Sequence, residues 1–75
     1  MPIARGAQYL LLRRPDEAIA AYEAAAALEP RPEIDLNLGR ALLMRGDRDA
    51  ARRRFARAVT LDPQLAAEVP PGGLE

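Results

Sequence analysis

The sequence contains no cysteine, histidine, serine, lysine or tryptophan among its 75 residues. These absences remove the side chains that most often serve as general base, thiol or serine nucleophile, Schiff-base amine and zinc ligand. The groups that remain are Thr60, Tyr9, Tyr22 and dispersed carboxylates. A pair of carboxylates performs glycosidase chemistry only inside a cleft, which so short a chain rarely forms beside its own core. The sequence therefore predicts a protein that is not an enzyme and that uses no cofactor or metal.

Net charge and long apolar runs are also absent. Eleven arginines balance eleven carboxylates, so the chain lacks the overall field that attracts nucleic acid or an anionic membrane. No apolar run approaches the roughly 20 residues of a membrane span. Residues 1–12 include Arg5 and lead to no small-residue cleavage site, which argues against a signal peptide. We expect a soluble, cytoplasmic protein without a membrane partner.

What the sequence does contain is an internal repeat with a period of 33 residues. The interval from glycine to proline is 24 residues in both copies. Aromatic, glycine and proline residues keep the same register, which chance matching of two alanine-rich segments seldom reproduces. The matched pairs are Gly6 and Gly39, Tyr9 and Leu42, Asp16 and Asp49, Ala18 and Ala51, Tyr22 and Phe55, Ala25 and Ala58, Leu28 and Leu61, and Pro30 and Pro63.

Each copy is predicted to form a hairpin of two helices, called here helix A and helix B. In the second copy Pro32 suits the first turn of helix A, which is expected to end near Arg45. Gly46 can adopt the left-handed conformation that closes a helix, and Asp47 can cap helix B. Helix B is then expected to end near Leu61, before Pro63.

The first copy has an equivalent turn at residues 13–17, with Pro15 at a first helical position and Arg13 in place of the glycine. After the second hairpin, Asp62 and Pro63 form a plausible start for a short helix over residues 64–69. Residues 70–75 are predicted to be a flexible tail. The apolar positions of each helix B, ending at Leu28 or Leu61, are spaced so that they lie on one face of the helix.

The second copy resembles the tetratricopeptide repeat closely, and the first copy resembles it with a clipped helix A. Two positions depart from the family pattern, because Asp35 stands where an aromatic is usual and Arg5 stands in the leucine place. The residues that carry the resemblance are Leu38, Gly39, Leu42, Gly46, Ala51, Phe55, Ala58 and Pro63, and, in the first copy, Gly6, Tyr9, Ala18, Tyr22, Ala25 and Pro30.

This resemblance implies an all-α fold of two tandem antiparallel helix hairpins plus a short C-terminal helix. It defines one domain over residues 1–69, with repeats at about 2–30 and 32–63 and a capping helix at 64–69. An unrelated four-helix bundle also buries alanine, leucine and phenylalanine, but it does not require glycine and proline at matching offsets.

The resemblance also implies a binding site, because in the family the A helices line a groove that holds a peptide. The alternative is that its leucines and methionine are core or dimer contacts. Asn37 matches one position of the family's carboxylate clamp, but Ile3 and Ala7 replace other clamp residues, so the clamp is not carried over. By position, the groove comprises Ile3, Ala7, Leu10, Leu11, Leu36, Asn37, Arg40, Leu43 and Met44.

Two hairpins are fewer than the roughly three repeats of a stable array, because an end repeat leaves one apolar flank without a neighbour. We expect self-association as a homodimer. The alternatives are a structural dimerisation unit without a peptide ligand and a fragment of a longer array.

Charge is divided between the two B helices. Residues 47–57 carry Arg48, Arg52, Arg53, Arg54 and Arg57 against Asp47 and Asp49, whereas the first helix B carries Asp16, Glu17 and Glu23. One interpretation is that this charge division steers an antiparallel dimer or an acidic partner towards the B helices. The other is that the charged side chains form a solvated helix face with intrahelical ion pairs such as Asp49 with Arg53. Interleaved aromatics are absent, so nucleic acid is not an expected partner.

Overall fold

The computed structural model describes the backbone of residues 2–75 and the side chains of residues 5–75. Over this range the chain is all-α, as predicted, and contains no strand. The helices are α1 (Pro2–Leu11), α2 (Pro15–Leu28), α3 (Pro32–Arg45), α4 (Arg48–Leu61) and a C-terminal 3₁₀ helix (Pro63–Glu68). Helices α1 and α2 pack as the first hairpin, α3 and α4 pack as the second, and α2 joins the two by packing on α3.

The two hairpins close their first helices with the same hydrogen bonds. The amide of Arg14 donates to the carbonyl of Tyr9 at 2.8 Å, and the amide of Asp47 donates to the carbonyl of Leu42 at 2.8 Å. Each pair is related by the sequence period. The backbone therefore repeats with the side-chain pattern, which confirms that the two halves are copies of one unit.

One residue in the turn that follows each first helix has the left-handed conformation. Gly46 has φ 94°, as its position predicts, and Arg13 has φ 59° at the matching place in the first copy. A side chain with a Cβ rarely adopts this conformation, so the first turn is strained where the second is not.

Helix starts follow the sequence, with one correction. Pro15 and Pro32 begin α2 and α3, and the carboxylate of Asp62 accepts from the amide of Gln64 at 3.1 Å. Asp47 precedes α4 as predicted, but its side chain caps no amide of that helix. The carboxylate instead pairs with Arg45 across the turn, because a guanidinium offers a stronger charged donor than a backbone amide.

Each hairpin packs an aromatic ring against a glycine. A Cβ placed on Gly6 would lie 2.7 Å from the ring of Tyr22, and one on Gly39 would lie 2.5 Å from the ring of Phe55. Only a residue without a side chain allows this approach, and both rings are almost fully buried as a result.

The C-terminal segment covers the outer flank of α4. Its helix is 3₁₀ rather than α-helical and buries Leu65 in the core. Val69 packs against the core, and a Cβ placed on Gly73 would lie 2.6 Å from Val69 and 3.0 Å from the ring of Phe55. Phe55 therefore has neighbours on both sides, although the flexibility predicted for residues 70–75 stays a prediction.

The buried part of each helix B is shorter than its apolar face. Leu28 is 78% exposed and Leu61 is 57% exposed, so the apolar face of each helix continues beyond its buried part. Both leucines are the last residues of their helices. The buried positions end at Ala25 and Ala58.

Candidate functional site

Helices α1 and α3 border a surface cavity of about 390 Å³. Six of the nine residues predicted for the A-helix groove line this cavity. The seventh lining residue is Tyr22, which belongs to α2. We call this cavity the α1–α3 groove. Its lining residues are Ala7, Leu10, Leu11, Tyr22, Asn37, Arg40 and Met44.

Two of the other three predicted residues lie in the core or against it. Leu36 is a core residue at 3% exposure, and Leu43 is half-buried against the same core. Ile3 lies outside the residues whose side chains the structure describes. The helical spacing alone does not separate Leu36 and Leu43 from the groove, because all of these positions lie on neighbouring parts of one amphipathic helix.

The wall of the groove is apolar on α1 and polar on part of α3. Arg40 donates from Nη1 to Oδ1 of Asn37 at 3.0 Å, within one helical turn. Its Nη2 lies 3.8 Å from Oε1 of Glu68 in the 3₁₀ helix. The sequence does not identify Glu68 as a neighbour of the groove, because only the fold-back of the C-terminal segment brings it there.

Tyr22 is the second residue that sequence reasoning missed. Its match to Phe55 assigns it to the core, yet its buried ring also lines the groove. Burial raises the pKa of the Tyr22 phenol, and the charge of Arg40 acts in the opposite direction. The phenol is therefore neutral at physiological pH, so the groove offers shape, apolar surface and one cation rather than a reactive nucleophile.

The carboxylate of Asp35 lies between α3 and α4, where the family pattern has an aromatic. Asp35 is buried, and its two oxygens approach Nη1 of Arg54 at 3.1 Å and Nε of Arg57 at 3.4 Å. A buried carboxylate requires such partners. Arg54 and Arg57 of α4 supply them, and the two ion pairs join α3 to α4.

Ion pairs also neutralise most of the charge division between the B helices. Asp16 pairs with Arg45 at 3.1 Å, and Glu17 pairs with Arg14 at 3.5 Å. The hydrogen bonds that Arg45 donates to Asp47, and then to Asp16, hold the pKa of Arg45 above its usual value. On α4 two arginines are bound to Asp35, which leaves less free positive charge than the sequence alone indicates.

One predicted pair on α4 has a different partner. Asp49 lies 3.8 Å from Arg52, one turn along the helix, rather than pairing with Arg53. The general expectation of a solvated face with intrahelical pairs describes this contact, although the named residue was wrong.

Within the part of the chain that the structure describes, His, Cys, Asp and Glu side chains form no group able to hold a metal ion. None of the helices described has the length and apolar character that crossing a bilayer requires.

Comparison with known proteins adds one positive finding. A family model described as Tetratricopeptide repeat matches residues 9–69. The match spans α2, α3, α4 and the 3₁₀ helix, together with the end of α1. No curated protein and no solved structure matches the chain.

Proposed function

The chain belongs to the tetratricopeptide repeat family, and on that premise we propose that it is a non-catalytic module that binds a peptide or a partner protein in the α1–α3 groove. Repeats of this family generally mediate protein–protein interaction, and their domains are generally non-catalytic scaffolds. The family suggests both the partner class and the groove, and the cavity between α1 and α3 supports the choice of this groove in this chain.

The observation that carries the proposal is an apolar wall that no part of the described chain covers. Leu11 is 84% exposed, and it lies beside the half-buried Leu10 and Met44 in the groove. A cavity of about 390 Å³ is within the usual range of roughly 300–1,000 Å³ for ligand sites. Exposed apolar surface beside a few polar groups is typical of a site that binds another molecule.

The proposal is tested by selecting random peptides displayed on phage and measuring their binding by fluorescence polarisation. The double variant Leu11→Ala, Met44→Ala is expected to lower the affinity of selected peptides by about tenfold or more, since each truncation removes apolar contact. The matched control is Leu28→Ala, Leu61→Ala, which removes exposed leucine from the ends of α2 and α4 and is expected to leave binding unchanged. Equal binding to all three proteins would place the peptides outside the groove.

Self-association is a second candidate function, favoured by the exposure of Leu11 and Leu12 side by side at the end of α1. Under this proposal the chain is a homodimer or a dimerisation unit, and the leucines contact a second copy. Sedimentation velocity across a concentration series tests it, because a dimer must dissociate on dilution. A monomer at every concentration would exclude it. In that case the C-terminal segment beside Phe55 covers enough of the apolar flank of the second repeat to keep the chain monomeric.

A cytoplasmic location is also a proposal. It is tested by fractionation of cells that express the tagged chain.

A further inference from the structure

The first hairpin has an outer side that none of the described helices covers. In the second hairpin the matching face of α3 packs on α2, and Arg45 on that face contacts the carboxylate of Asp16. The repeat period places Leu12 at the position of Arg45, and Leu12 is 64% exposed. The other matched positions on the two faces are Arg5 and Leu38, Gln8 and Ala41, and Tyr9 and Leu42. The α3 members of these pairs are buried, whereas the α1 members are exposed or half-buried.

Helix α2 continues this surface. Glu17, Ala21 and Leu28 lie on one side of α2, because their spacing returns to the same face of a helix. Glu17 and Ala21 line a surface depression of about 290 Å³ together with Arg5 and Tyr9 of α1, so the two helices form one surface. At the far end of α2, Leu28 is 78% exposed. We call this surface the outer flank, and it comprises Arg5, Tyr9, Leu12, Glu17, Ala21 and Leu28.

The second hairpin lacks the small apolar side chains of the outer flank. Ala21 stands where the second copy has Arg54, and that arginine pairs with Asp35 of α3. Ala24, one turn further along α2, stands where the second copy has Arg57, which pairs with the same carboxylate. The corresponding side of α4 is therefore occupied by ion pairs within the chain, whereas the side of α2 is left for an apolar contact.

The charges of the outer flank indicate what occupies it. Arg5 and Glu17 carry opposite charges at one depression. Arg5 forms no ion pair with any side chain that the structure describes, and Glu17 lies 3.5 Å from Arg14 in a water-exposed pair that contributes little. A twofold axis that joins two outer flanks brings Arg5 of each copy to Glu17 of the other. Resting on the proposed self-association, we propose that the outer flank binds a second copy of this chain about a twofold axis at the depression.

Charge and covering both favour the twofold arrangement over head-to-tail stacking. In a head-to-tail stack α4 of one copy would pack on α1 of the next, as α2 packs on α3. Helix α4 is rich in arginine, so Arg5 would then meet like charge, and Leu65 of the C-terminal segment already packs on the core beside α4. With 14 residues α2 is about 21 Å long, which makes the outer flank a small interface. We therefore expect a dissociation constant on the order of micromolar.

The test is sedimentation velocity of charge-reversal variants across a concentration series. Arg5→Glu and Glu17→Arg are each expected to raise the dissociation constant of the dimer by about tenfold or more, because each places like charges at both contacts. An equimolar mixture of these two variants is expected to form a heterodimer about as stable as the native dimer, since both contacts then join opposite charges.

Two further proteins serve as controls. Glu23→Arg makes the same charge change on an exposed part of α2 that points away from the outer flank, and it is expected to leave the native dimer unchanged. Its mixture with Arg5→Glu has the same net charges as the complementary mixture but is expected to form less heterodimer. The double variant Leu12→Ala, Leu28→Ala removes apolar contact and is expected to weaken the dimer by about tenfold.

Three outcomes would overturn the inference. A native chain that is monomeric at every concentration would exclude self-association as well, and would leave peptide binding in the α1–α3 groove untouched. A dimer that persists in Arg5→Glu and in Glu17→Arg would keep self-association but place the second copy elsewhere, and its loss in Leu11→Ala, Met44→Ala would place that copy in the groove. If both reversals break the dimer and their mixture does not restore it, the two residues do not meet across a twofold axis.

Discussion

The substitution Gly39→Ala tests the contact between glycine and aromatic ring that packs α3 against α4 in the second hairpin. The added Cβ would lie 2.5, 2.6 and 2.8 Å from three ring atoms of Phe55. Carbon atoms attract best at roughly 3.5–4.0 Å, so the overlap is about 1 Å against three atoms at once. The ring has no room to move, because Gly73 approaches its other edge and its exposure is 0%. Helix α3 must then shift away from α4.

Two opposing terms set the magnitude of the effect. Overpacking of a filled core costs about 1–3 kcal/mol, and the overlap with three atoms of a fixed ring places this case near the upper end. Alanine has a higher helix propensity than glycine, and this difference raises the free energy of unfolding by about 1 kcal/mol. The expected net loss in the free energy of unfolding is therefore about 2 kcal/mol. In a domain of this size that loss lowers the melting temperature by roughly 8–16 °C.

The assay is urea unfolding followed by far-ultraviolet circular dichroism, with thermal melting as a second measurement. The double variant Gly39→Ala, Phe55→Leu serves as the control, since a smaller side chain leaves space for the new methyl group. We expect the double variant to lose less stability than the sum of the two single variants. A Gly39→Ala protein that is as stable as the native chain, or more stable, would refute the close approach of α3 and α4.

Three further predictions concern single residues. Arg13→Gly is expected to raise the free energy of unfolding by about 1 kcal/mol by relieving the left-handed strain at φ 59°, and an unchanged or lower melting temperature would contradict this. Asp35→Ala is expected to lower it by about 1–2 kcal/mol through loss of charged hydrogen bonds to Arg54 and Arg57, and a double-mutant cycle with Arg54→Gln measures the coupling. Because burial raises the pKa of Tyr22, the fold favours the neutral phenol, so its contribution is complete below the ordinary value of about 10 and is lost as the pH rises through the folded pKa. Tyr22→Phe is therefore expected to lose less stability than the native chain when urea unfolding is repeated from neutral to strongly alkaline pH, and identical pH profiles would exclude the effect.

The repeat and its helices could be read from the residues because their causes are local. Pro15 and Pro32 are the first residues of their helices, where the missing amide of proline costs no hydrogen bond. Gly46 adopts the left-handed turn for the same kind of reason, which is the absence of a Cβ. The position of Asp47 was also predictable, but its partner was not, because Arg45 and the helix amides compete for one carboxylate.

The groove was predicted in part. The family spacing identifies Ala7, Arg40 and Met44, because a residue's place along helix A decides whether it reaches the inner surface. It also includes Leu36, which the structure buries in the core. Burial depends on how closely neighbouring helices pack, and that distance is not encoded in the spacing of one helix.

By itself the sequence determined an all-α chain of two matching hairpins, because periodicity, proline and glycine act through the backbone within a few residues. Only the tertiary structure decided that Glu68 lies beside Arg40 and that the carboxylate of Asp35 forms ion pairs with Arg54 and Arg57. These contacts join residues that are many turns apart, and their existence depends on the angle at which the C-terminal segment and α4 return to α3. That angle is set by the packing of the whole core around Phe55, so no local pattern contains it.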